Sequence, residues 1–134
     1  MDDIKRNDPH LIRSILFSIN HWGAGTTCFS IMRKANSAAV YRSIGPYMSP
    51  RVYEIAERKI SLAEFNAFAD RLFLKYGFEN WDDEYRKEKL DGTNWDMIVK
   101  FGKHQVLERR GFNAYPKCWD EVVESFMELF PDSE

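Results

Sequence analysis

The sequence predicts an α+β fold: an antiparallel sheet of about six strands, made of four N-terminal strands, a helix, a hairpin and a second helix, with the two helices packed on one face. Three observations predict it. Thr27, Phe29 and Ile31 alternate against Cys28, Ser30 and Met32 through residues 26–33, the period of a half-buried strand. Residues 61–77 carry a helix start, a helical apolar stripe and a glycine stop. The segments Asp91-Gly92-Thr93-Asn94-Trp95 and Gly111-Phe112-Asn113-Ala114-Tyr115-Pro116 read as a turn into a strand, and a second turn into a final helix.

Taken in order, residues 1–9 are polar and read as a loose N-terminal segment of a single domain spanning 1–134. Residues 11–19 fit two patterns. Leu11, Ile12, Ile15, Leu16 and Ile19 make a helical face that Asp8-Pro9 would cap, while Leu11, Ile15, Phe17 and Ile19 alternate against Arg13 and Ser18. The β-branched and aromatic content favours the strand. After a loop at His21-Trp22-Gly23-Ala24-Gly25, a strand is expected over 26–33, with Thr27, Phe29 and Ile31 on one side and Cys28, Ser30 and Met32 on the other. Lys34-Ala35-Asn36-Ser37 reads as a hairpin connection to a strand over 38–44. Gly45-Pro46 and Ser49-Pro50 bracket a loop, and residues 52–59 read as a fourth strand.

Ser61 is placed as an N-cap with Glu64 three residues later, the spacing of a capping box, and Ile60 and Phe65 stand where a hydrophobic staple would close. Phe65, Phe68, Ala69, Leu72 and Tyr76 recur at helical spacing, and Gly77 supplies a left-handed stop. Residues 79–90 are dense in charge, with Trp81 and Tyr85 embedded: a solvated connector pinned by its two aromatics, or a recognition loop. From Trp95 the pattern alternates again, Trp95, Met97, Val99 and Phe101 against Asp96, Ile98 and Lys100. Ile98 interrupts the polar side, so that face is expected to be partly covered. Gly102-Lys103-His104 connects to a return over 105–110, and the last helix is expected over 116–130, with Trp119, Val122, Val123, Phe126 and Phe130 as its stripe.

The chain has 134 residues, 44% of them apolar and 15% aromatic, enough for a sizeable, aromatic-rich core. A net charge of −2 argues against a dedicated nucleic-acid binder, although local basic patches remain. No run approaches the ~20 apolar residues of a membrane span, and no export signal is visible at the polar N-terminus, so a cytoplasmic protein with Cys28 and Cys118 as free, packed thiols is expected.

No catalytic constellation stands out, and neither a metal nor a cofactor is implied. His10, His21 and His104 are not spaced for zinc with one another or with a cysteine. Glu57-Arg58-Lys59 has the Glu-x-Lys spacing of some metal-dependent nucleases but lacks a convincing upstream Asp element. Asp82, Asp83 and Glu84 are adjacent and so point apart. Gly23-Ala24-Gly25-Thr26-Thr27 lacks the lysine of a phosphate-binding loop.

From Ser61 to the C-terminus, over half its length, the chain resembles a family of small uncharacterised bacterial proteins. These have a helix, then a Trp and a Tyr, here Trp81 and Tyr85. An Asp-Gly-x-x-Trp turn and strand follows, and a Gly-x-Asn-x-Tyr-Pro turn precedes the final helix. The resemblance implies a compact α+β fold and a bacterial or phage setting, and carries over no catalytic residue. The function expected is a non-enzymatic protein-interaction module, by analogy an immunity or inhibitor protein, with Tyr85, Arg86, Lys87 and Lys89 as partner-binding residues. The alternatives are a small-molecule or nucleotide binder using an aromatic pocket and, less favoured, a metal-dependent hydrolase.

Overall fold

A computed structural model describes residues 8–21, 25–46, 54–88, 92–101 and 105–130. Within them, alternating apolar residues build strands β1 (Ser14–His21), β2 (Gly25–Arg33), β3 (Ser37–Gly45), β4 (Glu54–Ser61), β5 (Glu84–Arg86), β6 (Thr93–Lys100) and β7 (Val106–Phe112). They form one sheet in the order β4-β3-β2-β1-β6-β7-β5. Every pair is antiparallel except β5–β7, which is parallel. The sheet is therefore mixed and has seven strands, not an antiparallel sheet of six. The added strand lies in the charged connector: Glu84, Tyr85 and Arg86 pair with Arg110, Gly111 and Phe112.

Residues 11–19 take the strand reading, and the helical face over them does not form. Asp8 accepts the His10 amide and caps a single 3-10 turn, Pro9–Leu11, and β1 follows from Ser14. The expectation of a loose segment over 1–7 falls outside the described residues, as do the loop positions 22–24, 47–50 and 102–104 and the expected strand residues 52 and 53.

The capping box forms. Ser61 Oγ accepts the Glu64 amide at 3.0 Å, and Glu64 Oε1 accepts the Ser61 amide at 3.3 Å. Helix α1 (Leu62–Asp70) then widens into a π-helical turn, Arg71–Lys75, before Gly77 ends the run at φ +65°. Helix α2 spans Trp119–Met127, shorter at both ends than expected, with a turn at its start where the Trp119 amide reaches the Pro116 carbonyl.

One sheet face takes all the large packing groups. The register sets Phe29, Phe17 and Met97 side by side across three strands, with Ile31, Ile15 and Val99 in the next row, and all six are buried. Phe126 of α2 lies 4.6 Å from Phe17 and 5.5 Å from Phe29 between ring centroids, and Phe68 of α1 meets it edge-on at 4.9 Å. Both helices thus cover the same face.

The two turn motifs meet at the far end of the sheet. Asn113, at φ +61°, accepts the Thr93 amide through its side chain and donates its own amide to the Thr93 carbonyl, both at 2.8 Å. Trp95 Nε1 donates to the Ala114 carbonyl at 3.0 Å. Gly111 lies beneath the indole, where an added Cβ would fall 2.1 Å from Trp95 Nε1. The described parts of the two motifs, Gly92 to Trp95 and Gly111 to Pro116, therefore form one clamp joining β6 to β7 and the chain leading into α2, while Asp91 lies outside the described residues.

Candidate functional site

With both helices on one face, strand parity decides what the other displays. Its central row, across the strands, is Glu57, Tyr41, Ser30, Leu16, Ile98 and Glu108. The adjacent row is Lys59, Ala39, Met32, Ser14, Lys100 and Val106. Leu16, Met32 and Val106 are exposed and Ile98 is half-buried, so an apolar centre stands open to solvent. Ile98 lies opposite Leu16 on this face, with no described helix over it, in place of the cover its position in the sequence suggested. An acid closes each end of the first row and a lysine flanks the second.

Toward β5 the face becomes charged. Ser18, Asp96, Arg110 and Glu84 lie in one row. Burial pushes the Asp96 carboxyl above its ordinary value; the negative charge of Glu108 adds to the rise, and Arg110 opposes it. Arg86 projects at the margin, 4.4 Å over the Phe112 ring, with Nε donating to Glu84 at 2.9 Å. A cavity of about 420 Å³ opens beside this margin, lined by Asp83, Glu84, Val106, Glu108 and Arg110 among others.

The four expected partner-binding residues separate here. Arg86 and Lys87 are exposed. The backbone of Lys87 is fixed, its amide donating to the Phe112 carbonyl at 2.8 Å. Tyr85 points to the helix side. Its ring lies 6.0 Å from Trp95, its hydroxyl accepts the Asp82 amide, and burial raises its pKa. Lys89 lies outside the described residues.

Trp81 is an anchor. It is buried, donates from Nε1 to the Tyr76 carbonyl at 2.7 Å, and packs edge-on against Phe78 and Trp95. Arg109 is a second anchor. Only 7% of it is exposed. It donates to the carbonyls of Phe78 and Glu79 and to Asp83 Oδ1, and its guanidinium lies 5.3 Å over the Phe78 ring. Those acceptors replace water, which is what lets a guanidinium be buried. A parity reading of β7, putting Arg109 on the side of Leu107 and Gly111, was the available signal.

The remaining candidates are structural. Trp95, Trp119, Tyr115 and Tyr85 stack on one another at centroid distances of 4.8–6.0 Å, so these rings fill the space between themselves. His10 bonds Asp70 at 3.0 Å and His21 bonds Thr93 Oγ1 at 3.0 Å; His104 is outside the described residues. In the Glu57-Arg58-Lys59 segment, Arg58 turns to the helix side and donates to the Leu129 carbonyl at 2.8 Å. Cys28 and Cys118 are both free; Cys28 accepts from Ser18 Oγ at 3.4 Å, and burial raises the Cys118 pKa. Among the described residues, no three His, Cys, Asp or Glu side chains converge as a metal site, and no helix is long and apolar enough to cross a membrane. No family model, curated protein or solved structure matches this chain.

Proposed function

We propose that this protein is a non-enzymatic interaction module that holds a protein partner on the open face of its sheet. The observation behind this reading is the apolar centre of Leu16, Ile98, Met32 and Val106, left uncovered on the face opposite both helices and bordered by charges of both signs. An apolar centre with a polar rim is the anatomy of a protein interface. Arg86 and Lys87 extend the surface at its β5 margin, where arginine beside an aromatic ring is a residue type that dominates binding energy. Tyr85 supports that margin from beneath. The cavity beside β7 gives a partner side chain a place to insert. An immunity or inhibitor role in a bacterial or phage setting is the form of this reading that the family resemblance favours, and that kinship is itself a proposal carried by the two turn motifs. The rings of the aromatic cluster occupy one another's faces, which weighs against the small-molecule alternative.

The test is capture from a lysate of the source cell, followed by affinity measurement with the purified captured protein. Leu16→Ser with Ile98→Thr, and separately Arg86→Glu with Lys87→Glu, should each weaken binding about tenfold or more. Leu74→Ser, at an exposed position of the π-helical turn, should not. Equal affinity for all three variants would refute the assignment of the face.

A further inference from the structure

We propose that two copies of this chain join edge to edge through β4, extending the sheet across a two-fold axis. Strand β4 ends the sheet, paired with β3 on one side and with no described strand on the other. Such an edge presents a row of backbone donors and acceptors to any second strand. Ile55, on its open face, is 67% exposed. Charges on an edge strand ordinarily guard against pairing. Here they select a register.

The two-fold fixes the arithmetic. In an antiparallel pair of identical strands with matching faces, the axis passes through a residue or its opposite number, and each residue faces the one equally far on the other side. Period-two alternation puts Ile55, Glu57, Lys59 and Ser61 together on the open face and Ala56, Arg58 and Ile60 on the helix side. An axis through Glu57 sets that acid against its own copy, and an axis through Lys59 does the same for the lysine. An axis through Arg58 sets Glu57 against Lys59 of the partner subunit, and Lys59 against Glu57 of the partner subunit. The same register puts Ile55 opposite the partner's Ser61, and Ala56 opposite the partner's Ile60. Arg58 then lies on the axis on the other face, where its guanidinium is drawn back into its own molecule by the Leu129 carbonyl at 2.8 Å. The dimer presents both open faces on one side, because the axis runs perpendicular to the sheet. A partner with two contact points would gain avidity from that arrangement. Glu57 and Lys59 also border the open face, so the inference is kept distinct from the partner reading by its readout, self-association of the purified chain.

Sedimentation velocity from micromolar to millimolar protein at low salt tests it. The parent should dimerise. Glu57→Lys and Lys59→Glu should each weaken dimerisation about tenfold or more, since the symmetry places every new like-charge pair twice. The double variant E57K/K59E should restore a homodimer, and an equimolar mixture of the two single variants should form a heterodimer. Circular dichroism checks that each exposed substitution leaves the fold intact. A parent that stays monomeric throughout, single variants that dimerise like the parent, or a charge swap that fails to restore association would each overturn the proposal.

Discussion

Replacing Gly111 with alanine tests the clamp that joins the two turn motifs. The added Cβ would stand 2.1 Å from Trp95 Nε1 and 2.5 Å from the Ala114 carbonyl oxygen, where ordinary contacts begin at 3.4 Å. Trp95 is fully buried and cannot swing away, and the carbonyl is backbone. Overpacking of this kind costs about 1–3 kcal/mol. Displacing the indole also breaks its bond to Ala114, worth about 1 kcal/mol. The sum is about 2–4 kcal/mol. Gly77→Ala is the control: nothing lies within 4 Å of its Cβ, and only the left-handed backbone at φ +65° opposes it, for about 1 kcal/mol. Urea unfolding followed by tryptophan fluorescence reads both. With a slope of about 1–2 kcal/mol/M, Gly111→Ala should lower the midpoint by at least ~1 M and by more than Gly77→Ala. In a Trp95→Phe background the smaller ring leaves room, so the cost of Gly111→Ala should shrink. A Gly111→Ala midpoint no lower than that of Gly77→Ala, or strictly additive costs in the double variant, would refute the clamp.

Three further outcomes follow from the same geometry. Ser61→Ala removes one half of the capping box and should cost about 1 kcal/mol by denaturant midpoint, with Ser61→Asp retaining most of it. Trp81→Ala should cost about 3–5 kcal/mol as a buried aromatic, and Trp81→Phe less, since the ring packing on Phe78 survives and the bond to Tyr76 is lost; a nearly unchanged midpoint for Trp81→Ala would return this residue to the list of recognition candidates. Asp96 has its folded pKa raised by burial, so the folded state holds its proton more tightly than the unfolded chain and this group's contribution to stability falls as pH rises through the carboxylate range. Asp96→Asn should therefore stabilise the protein at neutral pH, with the advantage fading as the pH falls toward the ordinary carboxylate value of about 4 and gone below it, and parallel stability curves for parent and variant would contradict the assignment.

The sequence made local structure legible and hid what depends on distant partners. The capping box, the alternation in β2 and β6 and the Asn113 turn after β7 are set by residues within a few positions of one another, and each lies where its pattern puts it. Strand β5 was hidden because Glu84-Tyr85-Arg86 has no strand pattern of its own and exists through pairing with Arg110–Phe112. The late start of α2 has a related cause: Cys118 offers no side-chain bond as a cap, so the chain between Pro116 and Trp119 closes as a turn. Arg109 was hidden by its charge, since its acceptors come from residues 78–83. The open face was partly legible. Ile98, Leu16 and Met32 occupy the polar parity of their strands, and that mismatch marks apolar side chains with no helix to meet them.

The most distinctive motifs of the chain are thus its least reactive. Thr93, Trp95, Gly111, Asn113 and Ala114 spend their hydrogen-bonding and steric specificity on one another. Their spacing is strict because an indole must lie over a glycine while its N–H reaches one particular carbonyl. A motif of that kind identifies a fold and is silent about ligands. Recognition by a flat, open sheet face imposes the reverse pattern. It needs apolar groups and charges at every second residue of several strands, which are remote in sequence and adjacent only through register. Leu16 and Ile98 are neighbours on this face because β1 and β6 pair as they do. The clamp of Thr93, Trp95, Gly111 and Asn113 therefore positions the proposed binding face without belonging to it. Substitutions in the clamp should then lower stability and partner affinity together, whereas substitutions at Leu16, Ile98, Arg86 or Lys87 should lower affinity with little change in the unfolding midpoint.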